Sequence, residues 1–377
     1  MEASIRSVTL DYSNIDPSKH PARTGNLITK GVESEVLGAT SFSPEDPFSA
    51  SERIMCYVKR VVQRDGGGGG DVVTTAGRPG DMGGKGAVGG VGGRRNEVYR
   101  VNSGVEGVRC EVYGEVGLVR VDEGTEGGVE GNWGKVEGRF EGVETVYGYC
   151  NRKDRSRMGG GESKVLLKGG AKERWEAWEN GIPYSCKLEG NSLSVGIFPD
   201  SRGMRWWCRE NGGGKKRMLN LFAHGCGYAK AAKEGGMGKG TNVDIDKGWL
   251  ELFDGGEGWD NVYGDAGEWV EKFRKRGSQW DIIIVDPPSS SVGKNGKRWS
   301  SLTDYPSLVT SLTSLLPSSG GTLVTISNLR SQSPSKFHDS VLKGIKEGGR
   351  KGTLNTVVGE GEDGGGMGVK KYIWDVE

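Results

Sequence analysis

The sequence is poor in the residues that build metal centres. Its 377 residues include only three His, and no two of its six Cys (Cys56, Cys110, Cys150, Cys186, Cys208 and Cys226) have CxxC spacing. No structural zinc site is therefore expected. Apolar residues are scarce as well, at 34%. No stretch approaches the length of a membrane span. The first residues, MEASIRSVTLDYSN, lack the apolar stretch of a secretory signal and carry acidic groups unlike a transit peptide. A reducing, cytoplasmic setting with free thiols is expected, with an organelle left open. The net charge is only +1, so any nucleic-acid surface must come from local segregation of charge. GxxxxGK[ST] does not occur, which removes a P-loop.

Gly is the residue in excess, at 68. Residues 65–93 hold GGGGG and then GRPGDMGGKGAVGGVGG, a flexible insertion by composition. Residues 1–95 read as a weakly structured N-terminal segment that contains it. From Asn96 the pattern changes to short Val-rich runs, VYRVN, VRCEVYG, VGLVRVDE and VETVYGYC, separated by Gly turns. These are strand signals, and they assign residues 96–190 to a small α+β domain. Charge divides within it. Residues 98–145 hold five basic and ten acidic side chains. Residues 151–175 hold eight basic (Arg152, Lys153, Arg155, Arg157, Lys164, Lys168, Lys172, Arg174) and three acidic. That basic stretch is either a solvated loop or a phosphate-binding patch conferring salt-dependent RNA affinity.

Beyond Lys215 apolar strands alternate with helical patterns. MLNLF (218–222), GTNVDID, DNVYGD, WDIIIVDPP (280–288) and GTLVTISN read as strands, and 304–316 as a helix. The order predicts an α/β, doubly wound, mostly parallel, Rossmann-like sheet over residues 191–377. Such sheets bind ligands beyond the carboxyl ends of their strands. Ala223-His224-Gly225-Cys226-Gly227 follows the first strand, where Gly allows close backbone approach and a helix N-terminus offers N–H groups. Many such turns bind nothing or bind a dinucleotide. Asp244 ends the second strand, where a carboxylate accepts from ribose hydroxyls. Asp265 follows the third, in reach of an adenine amino group, and Asp286 ends the fourth. Each alone reads equally as an ordinary strand-end or helix-cap residue.

Taken in order, LNLFAHGCG, NVDID, YGDAGEW, DIIIVDPPSSS and GGTLVTISN resemble bacterial-type large-subunit ribosomal RNA methyltransferases of the cytosine-5 and guanine-N7 branches. The resemblance is continuous over about residues 185–375 and weaker over 98–123, which resembles the family's RNA-binding middle domain. It implies a class I methyltransferase domain, S-adenosylmethionine as cofactor and RNA, specifically ribosomal RNA, as partner, with no membrane or metal. It assigns Asn220, Phe222, Gly225, Gly227, Asp244, Asp265 and Asp286 to the cofactor site. GIFPDSRGMRWW resembles the segment that leads into the domain, and Asp200, Arg202 and Arg205 match its Asp-x-Arg and second Arg. Those residues hold the methionine end of the cofactor or fix that lead-in segment, since a guanidinium fork suits a carboxylate. Two departures stand out. LELFDGGEGWDN is shorter than the family's second helix, and the family's N-terminal RNA-binding module is not recognisable in residues 1–60.

Cytosine C5 is a poor nucleophile, and the cytosine-5 branch first adds a Cys thiolate to the ring. At the strand end where that branch carries its Cys, this chain has Asn328, and no Cys occurs after Cys226. Guanine N7 already presents a nucleophilic lone pair. The resemblance to the guanine-N7 branch is closer here, through Asp286-Pro287-Pro288-Ser289-Ser290-Ser291, Lys297-Arg298 and Ser327-Asn328. Asp286, Pro287 and Asn328 are the expected catalytic groups, holding the edge of an extruded base. Trp299 is the one aromatic nominated for stacking on RNA. The alternatives are a cytosine-5 enzyme without the usual Cys, a protein or small-molecule methyltransferase on the same fold, and a catalytically weak RNA-binding protein.

Overall fold

Period-two alternation of Val with polar residues builds the first sheet. β4 (Val98–Val101), β5 (Val108–Tyr113) and β6 (Val116–Asp122) form an antiparallel meander. β7 (Thr145–Asn151) runs parallel to β6, and β8 (Val165–Lys168) closes the edge. The β6–β7 crossover carries helix α1 (Gly128–Val136), which the sequence reading does not anticipate. Its Val129, Asn132 and Val136 are buried on one face, and Asn132 Nδ2 donates to the Glu126 and Gly128 carbonyls. A buried face therefore outweighs the three glycines of the helix. These elements are seen in a computed structural model that describes residues 97–151, 164–189, 194–214, 216–292, 298–358 and 369–377. It also describes the backbone of three short antiparallel strands, β1 (Gly25–Thr29), β2 (Val32–Val36) and β3 (Val61–Val62). The Gly-rich stretch 65–93, the basic residues Arg152 to Arg157 and Lys297 lie outside the described residues.

A hairpin, β9 (Arg174–Glu179) and β10 (Ile182–Lys187), turns through Asn180 and Gly181 at φ 54° and 75°, a two-residue turn that needs left-handed residues. A short 3-10 turn (Pro199–Ser201) and α2 (Arg202–Asn211) lead into a seven-stranded sheet. Its strands are β11 (Arg217–Leu221), β12 (Lys239–Asp244), β13 (Trp259–Tyr263), β14 (Ile282–Val285), β17 (Gly321–Ser327), β18 (Gly352–Val357) and β19 (Lys370–Val376). The spatial order is β13-β12-β11-β14-β17-β19-β18. The first five are parallel, and β19 is antiparallel to both of its neighbours. Helices α3 (Gly227–Glu234), α4 (Lys247–Leu250), α5 (Ala266–Lys275), α6 (Ser301–Thr313) and α7 (Pro334–Glu347) make the connections, with a small hairpin of β15 (Ser290–Val292) and β16 (Arg298–Ser300) before α6. The helix read over 304–316 starts earlier than expected, because Asp304 accepts the Ser300 N–H at 2.8 Å and fixes the first turn. No helix among the described residues is long and apolar enough to cross a membrane.

The two sheets share one core. A single apolar cluster runs from Val98, Tyr113 and Leu118 through Trp175, Ile197 and Met204 to Met218, Ile282 and Ile284. The described residues from Glu97 onward accordingly belong to one compact unit. A buried ion pair crosses it. Arg205 grips Glu179 with two hydrogen bonds of 2.6 and 2.7 Å, and Arg202 adds a third at 3.2 Å. Burial opposes the Glu179 charge, but the two guanidinium groups outweigh it and hold the carboxyl below its usual range. Arg205 also donates to the Phe198 carbonyl at 2.8 Å, and Arg202 to that of Val98. The described members of the basic stretch are internally engaged too. Lys164 and Lys168 donate to the Leu188 and Phe140 carbonyls, while Lys172 and Arg174 pair with Glu115 and Glu189.

Removing one partner of a fully buried pair leaves the other charge stranded. Glu179→Gln is expected to lose about 3–5 kcal/mol in urea unfolding, against about 0–1 kcal/mol for Lys172→Ala at an exposed pair.

Candidate functional site

The parallel strands bring their carboxyl ends to one edge of the sheet, and Phe222, Gly225, Asp244, Asp265, Asp286 and Asn328 lie at or just beyond those ends. The β11–α3 turn is held in an unusual backbone. Phe222, His224 and Cys226 adopt φ of 57°, 46° and 58°. Left-handed backbone costs non-Gly residues on the order of 1–2 kcal/mol each, so surrounding contacts must enforce it. Asp244 is one enforcer. Its Oδ2 accepts the His224 N–H at 2.7 Å and its Oδ1 accepts the Asp246 N–H at 2.8 Å. Close packing is another, since a Cβ on Gly225 would lie 2.5 Å from the Gly196 carbonyl oxygen. A Cβ on Gly227 would lie 3.3 Å from Arg205 Cδ, at the start of α3. The His224 ring stacks on Trp249 with centroids 4.1 Å apart and approaches Phe198 at 5.2 Å. Burial pushes its pKa down to about 4, so it is neutral at pH 7.

The residues fit an adenosine. Burial raises the Asp244 pKa, and the backbone N–H groups of Asp246, His224 and Ile245 oppose the rise. Ile245 and Tyr263 remain 41% and 45% exposed at the ends of β12 and β13, large apolar surfaces beside that carboxylate. Asp265 is exposed and caps α5, accepting the Glu268 N–H at 3.0 Å. Ile245 escaped the sequence reading, although an apolar residue directly after a strand-end Asp was a usable signal.

Three of the expected residues make their contacts inside the protein. Asn220 is fully buried. It begins an amide ladder across three strands, donating to Asn242 Oδ1 at 3.0 Å, which in turn donates to Asn261 Oδ1 at 3.0 Å. Asn261 ends it on the Leu250 and Phe253 carbonyls, anchoring the short α4 segment. The guanidinium groups of Arg202 and Arg205 are turned inward to Glu179. Of the two roles the resemblance offers, their contacts match fixing the lead-in segment.

The second group gathers where β14 and β17 stop pairing. Beyond Val285 and Thr325 the ladder ends, and the buried Tyr305 hydroxyl takes over. It lies 3.1 Å from the Val285 carbonyl and 3.0 Å from that of Ile326, and accepts the Ile326 N–H at 3.0 Å. The strand ends are thereby satisfied while their following residues diverge. Asp286 follows β14, with Pro287 buried and Pro288 exposed behind it. Ser289 Oγ donates to Asn328 Oδ1 at 2.5 Å, tying the two loops and leaving the exposed Asn328 amide nitrogen as a donor. Trp299 donates Nε1–H to the Pro288 carbonyl at 3.0 Å and packs 6.1 Å from Phe222, so it braces this loop. Asp200 sits on the short 3-10 turn, 3.8 Å from Arg100, and its carbonyl accepts from buried Lys371. Burial pushes Asp286 up to about 6. Tyr228, which donates to Oδ2 at 2.9 Å, and Lys371 oppose the rise, and Asp200 adds to it. The cavity lined by Trp175, Cys186, Glu251 and Leu252 lies beside the β9–β10 hairpin and includes none of these groups. Among the described residues no set of His, Cys, Asp and Glu is arranged to hold a metal ion.

Comparison with known proteins places the chain. Residues 153–343 match the sequence model of a family described as S-adenosylmethionine-dependent methyltransferase. The chain is 30% identical over 165 residues to the ribosomal RNA large subunit methyltransferase K of Neisseria meningitidis, covering 41% of this chain and 45% of that one. It is 26% identical over 182 residues to a ribosomal RNA large subunit methyltransferase of Deinococcus radiodurans, covering 46% and 43%. The chain thus spans less than half the length of these curated relatives. Among solved structures, SMU.776 complexed with SAH superposes with a TM-score of 0.62 at 23% identity, over 75% of this chain and 76% of that one. The SAM-dependent methyltransferase from Agrobacterium tumefaciens gives 0.53 at 19% identity, over 75% and 90%. Both likenesses establish the fold.

The raised Asp286 pKa has a stability consequence. Unfolded, this carboxyl releases its proton near pH 4; folded, it keeps it to about pH 6. The folded state binds more protons in that window, so stability falls as pH rises from about 4 to about 6. Asp286→Asn is expected to flatten that decline and to raise stability at pH 7 by about 1–3 kcal/mol, read by urea unfolding at pH 4 and pH 7.

Proposed function

Since the chain belongs to the S-adenosylmethionine-dependent methyltransferase family, we propose that it methylates a base of ribosomal RNA, at a ring nitrogen and with guanine favoured. The observation that carries this reading is the joined polar rim of Asp286, Pro287, Ser289 and Asn328 at the parting of β14 and β17. The names of its relatives supply the ribosomal part. A covalent cytosine-5 route lacks the Cys at its usual strand end, where this chain has Asn328. No Cys follows Cys226, and burial pushes the thiols of Cys208 and Cys226 far above the range in which a thiolate forms. The free thiols fit a cytoplasmic setting.

When bound, the cofactor supplies a methyl group on a sulfonium centre that departs as a neutral thioether. The residues of the chain divide the remaining work. Asp244 would accept from the ribose hydroxyls, Ile245 would cover a face of the adenine, and Asp265 would meet its amino group. The Gly225–Gly227 turn brings backbone close to the ligand, where a side chain would collide with Gly196. On the other side the Asn328 amide donates to an acceptor on the base edge, and the stiff Pro287-Pro288 backbone fixes the loop. Methylating a guanine N7 lone pair leaves a cation and no proton to remove. Above about pH 6 the Asp286 carboxylate is ionised and stands where that positive charge develops. Holding nucleophile and methyl in line supplies most of the acceleration.

Tritiated cofactor with total ribosomal RNA is expected to label RNA, and mass spectrometry of digested nucleosides to find a methylguanosine. Label confined to protein or small molecules overturns the reading. Asn328→Ala is expected to lower kcat on the order of 10-fold to 100-fold with the cofactor Kd unchanged in calorimetry.

A further inference from the structure

We propose that Tyr228 is a positioning residue for the base-facing acid, its phenol fixing the orientation of the Asp286 carboxylate. The inference rests on the reading of Asp286 as the group that faces the base. Tyr228 lies in the first turn of α3, directly after the Gly225–Gly227 turn, and only 8% of it is exposed. Its hydroxyl donates to Asp286 Oδ2 at 2.9 Å, across 58 residues of sequence. One helix thus opens on the cofactor side of the cleft and reaches the acid on the other.

The other charged and titratable groups around the carboxyl act differently. Asp200, from the 3-10 turn, repels the ionised form. Lys371, from β19, attracts it while directing its ammonium to the Asp200 carbonyl. Tyr305, from α6, has its hydroxyl between the Val285 and Ile326 carbonyls. A carboxylate rotates about a broad, roughly two-fold torsion. A fixed donor on Oδ2 selects one orientation and leaves Oδ1 to meet the substrate. The same bond favours the ionised form in a place where burial disfavours it. Removing the donor therefore both loosens the group and raises the pH at which it ionises.

The test is Tyr228→Phe in the full chain, which keeps the ring packed. The carboxyl 13C resonance of Asp286, assigned through Asp286→Asn, is expected to titrate near pH 6 in the wild type and nearer pH 7 in the variant. In RNA methylation the variant is expected to lose about tenfold in kcat, with the acid limb of its pH profile displaced upward by the same amount and its cofactor Kd unchanged. An unchanged titration midpoint together with an unchanged kcat overturns the proposal. The carboxyl titration needs no RNA. A wild type that methylates no RNA sinks the functional reading, whereas a displaced midpoint still stands. Should the variant fail to fold, the Tyr228 13Cζ resonance of the wild type replaces it. That signal moves near pH 6 if the two groups are bonded, and a flat trace overturns the proposal.

Discussion

A carboxylate wholly removed from water dictates the layout of this molecule. Glu179 sits at the turn of the β9–β10 hairpin, and its charge is tolerable only because Arg205 and Arg202 converge on it. Both arginines belong to α2, whose remaining donors hold the carbonyls of Val98 and Phe198. One interior charge thereby joins the first sheet, the hairpin and the segment leading into the parallel sheet. Its neutralisation is worth little over a well-packed apolar alternative, but the geometry it demands is narrow. Along the same lead-in segment the Gly196 carbonyl packs against Gly225, in the turn over the end of β11.

The edge of the sheet then works as two half-sites with different physics. On the β11–β12 side, left-handed residues are compressed into a turn and held there by the two oxygens of Asp244. On the β14–β17 side nothing is compressed. The ladder simply ends, and the Tyr305 hydroxyl does the hydrogen bonding that the strands would have done for each other. The first half is rigid by backbone geometry. The second carries a carboxylate, Asp286, and an exposed amide, Asn328, on two loops tied through Ser289.

Local pattern carried the architecture. The run Ile282-Ile283-Ile284-Val285 and the Val-rich alternation of β4 to β7 were readable because burial on two faces or one leaves a direct imprint on the sequence. Asp244, Asp265 and Asp286 were readable as strand-end acids because a parallel sheet puts all such ends on one edge. What could not be read depended on partners far along the chain. Nothing near Arg205 marks it for Glu179, 26 residues before, and nothing near Tyr228 marks it for Asp286. Asn220 was assigned to the cofactor site by resemblance alone. Only the register Asn220–Asn242–Asn261 reveals that its partners lie inside the sheet. Helix α1 was hidden by its glycines, whose cost is offset by Val129 and Val136 packing on the small sheet.

The position of β19 bears on how the chain assembles as it is made. The strand is synthesised after β17 and β18 yet inserts between them, pairing along its length with both. Until it emerges from the ribosome, β17 exposes an open flank and β18 has no neighbour, so the sheet waits half-built. The same strand delivers Lys371, the cation beside Asp200 and Asp286. Asp286 thus acquires its neighbouring cation only when β19 joins the sheet. A nascent chain halted before residue 370 would lack both that strand and the charge it carries.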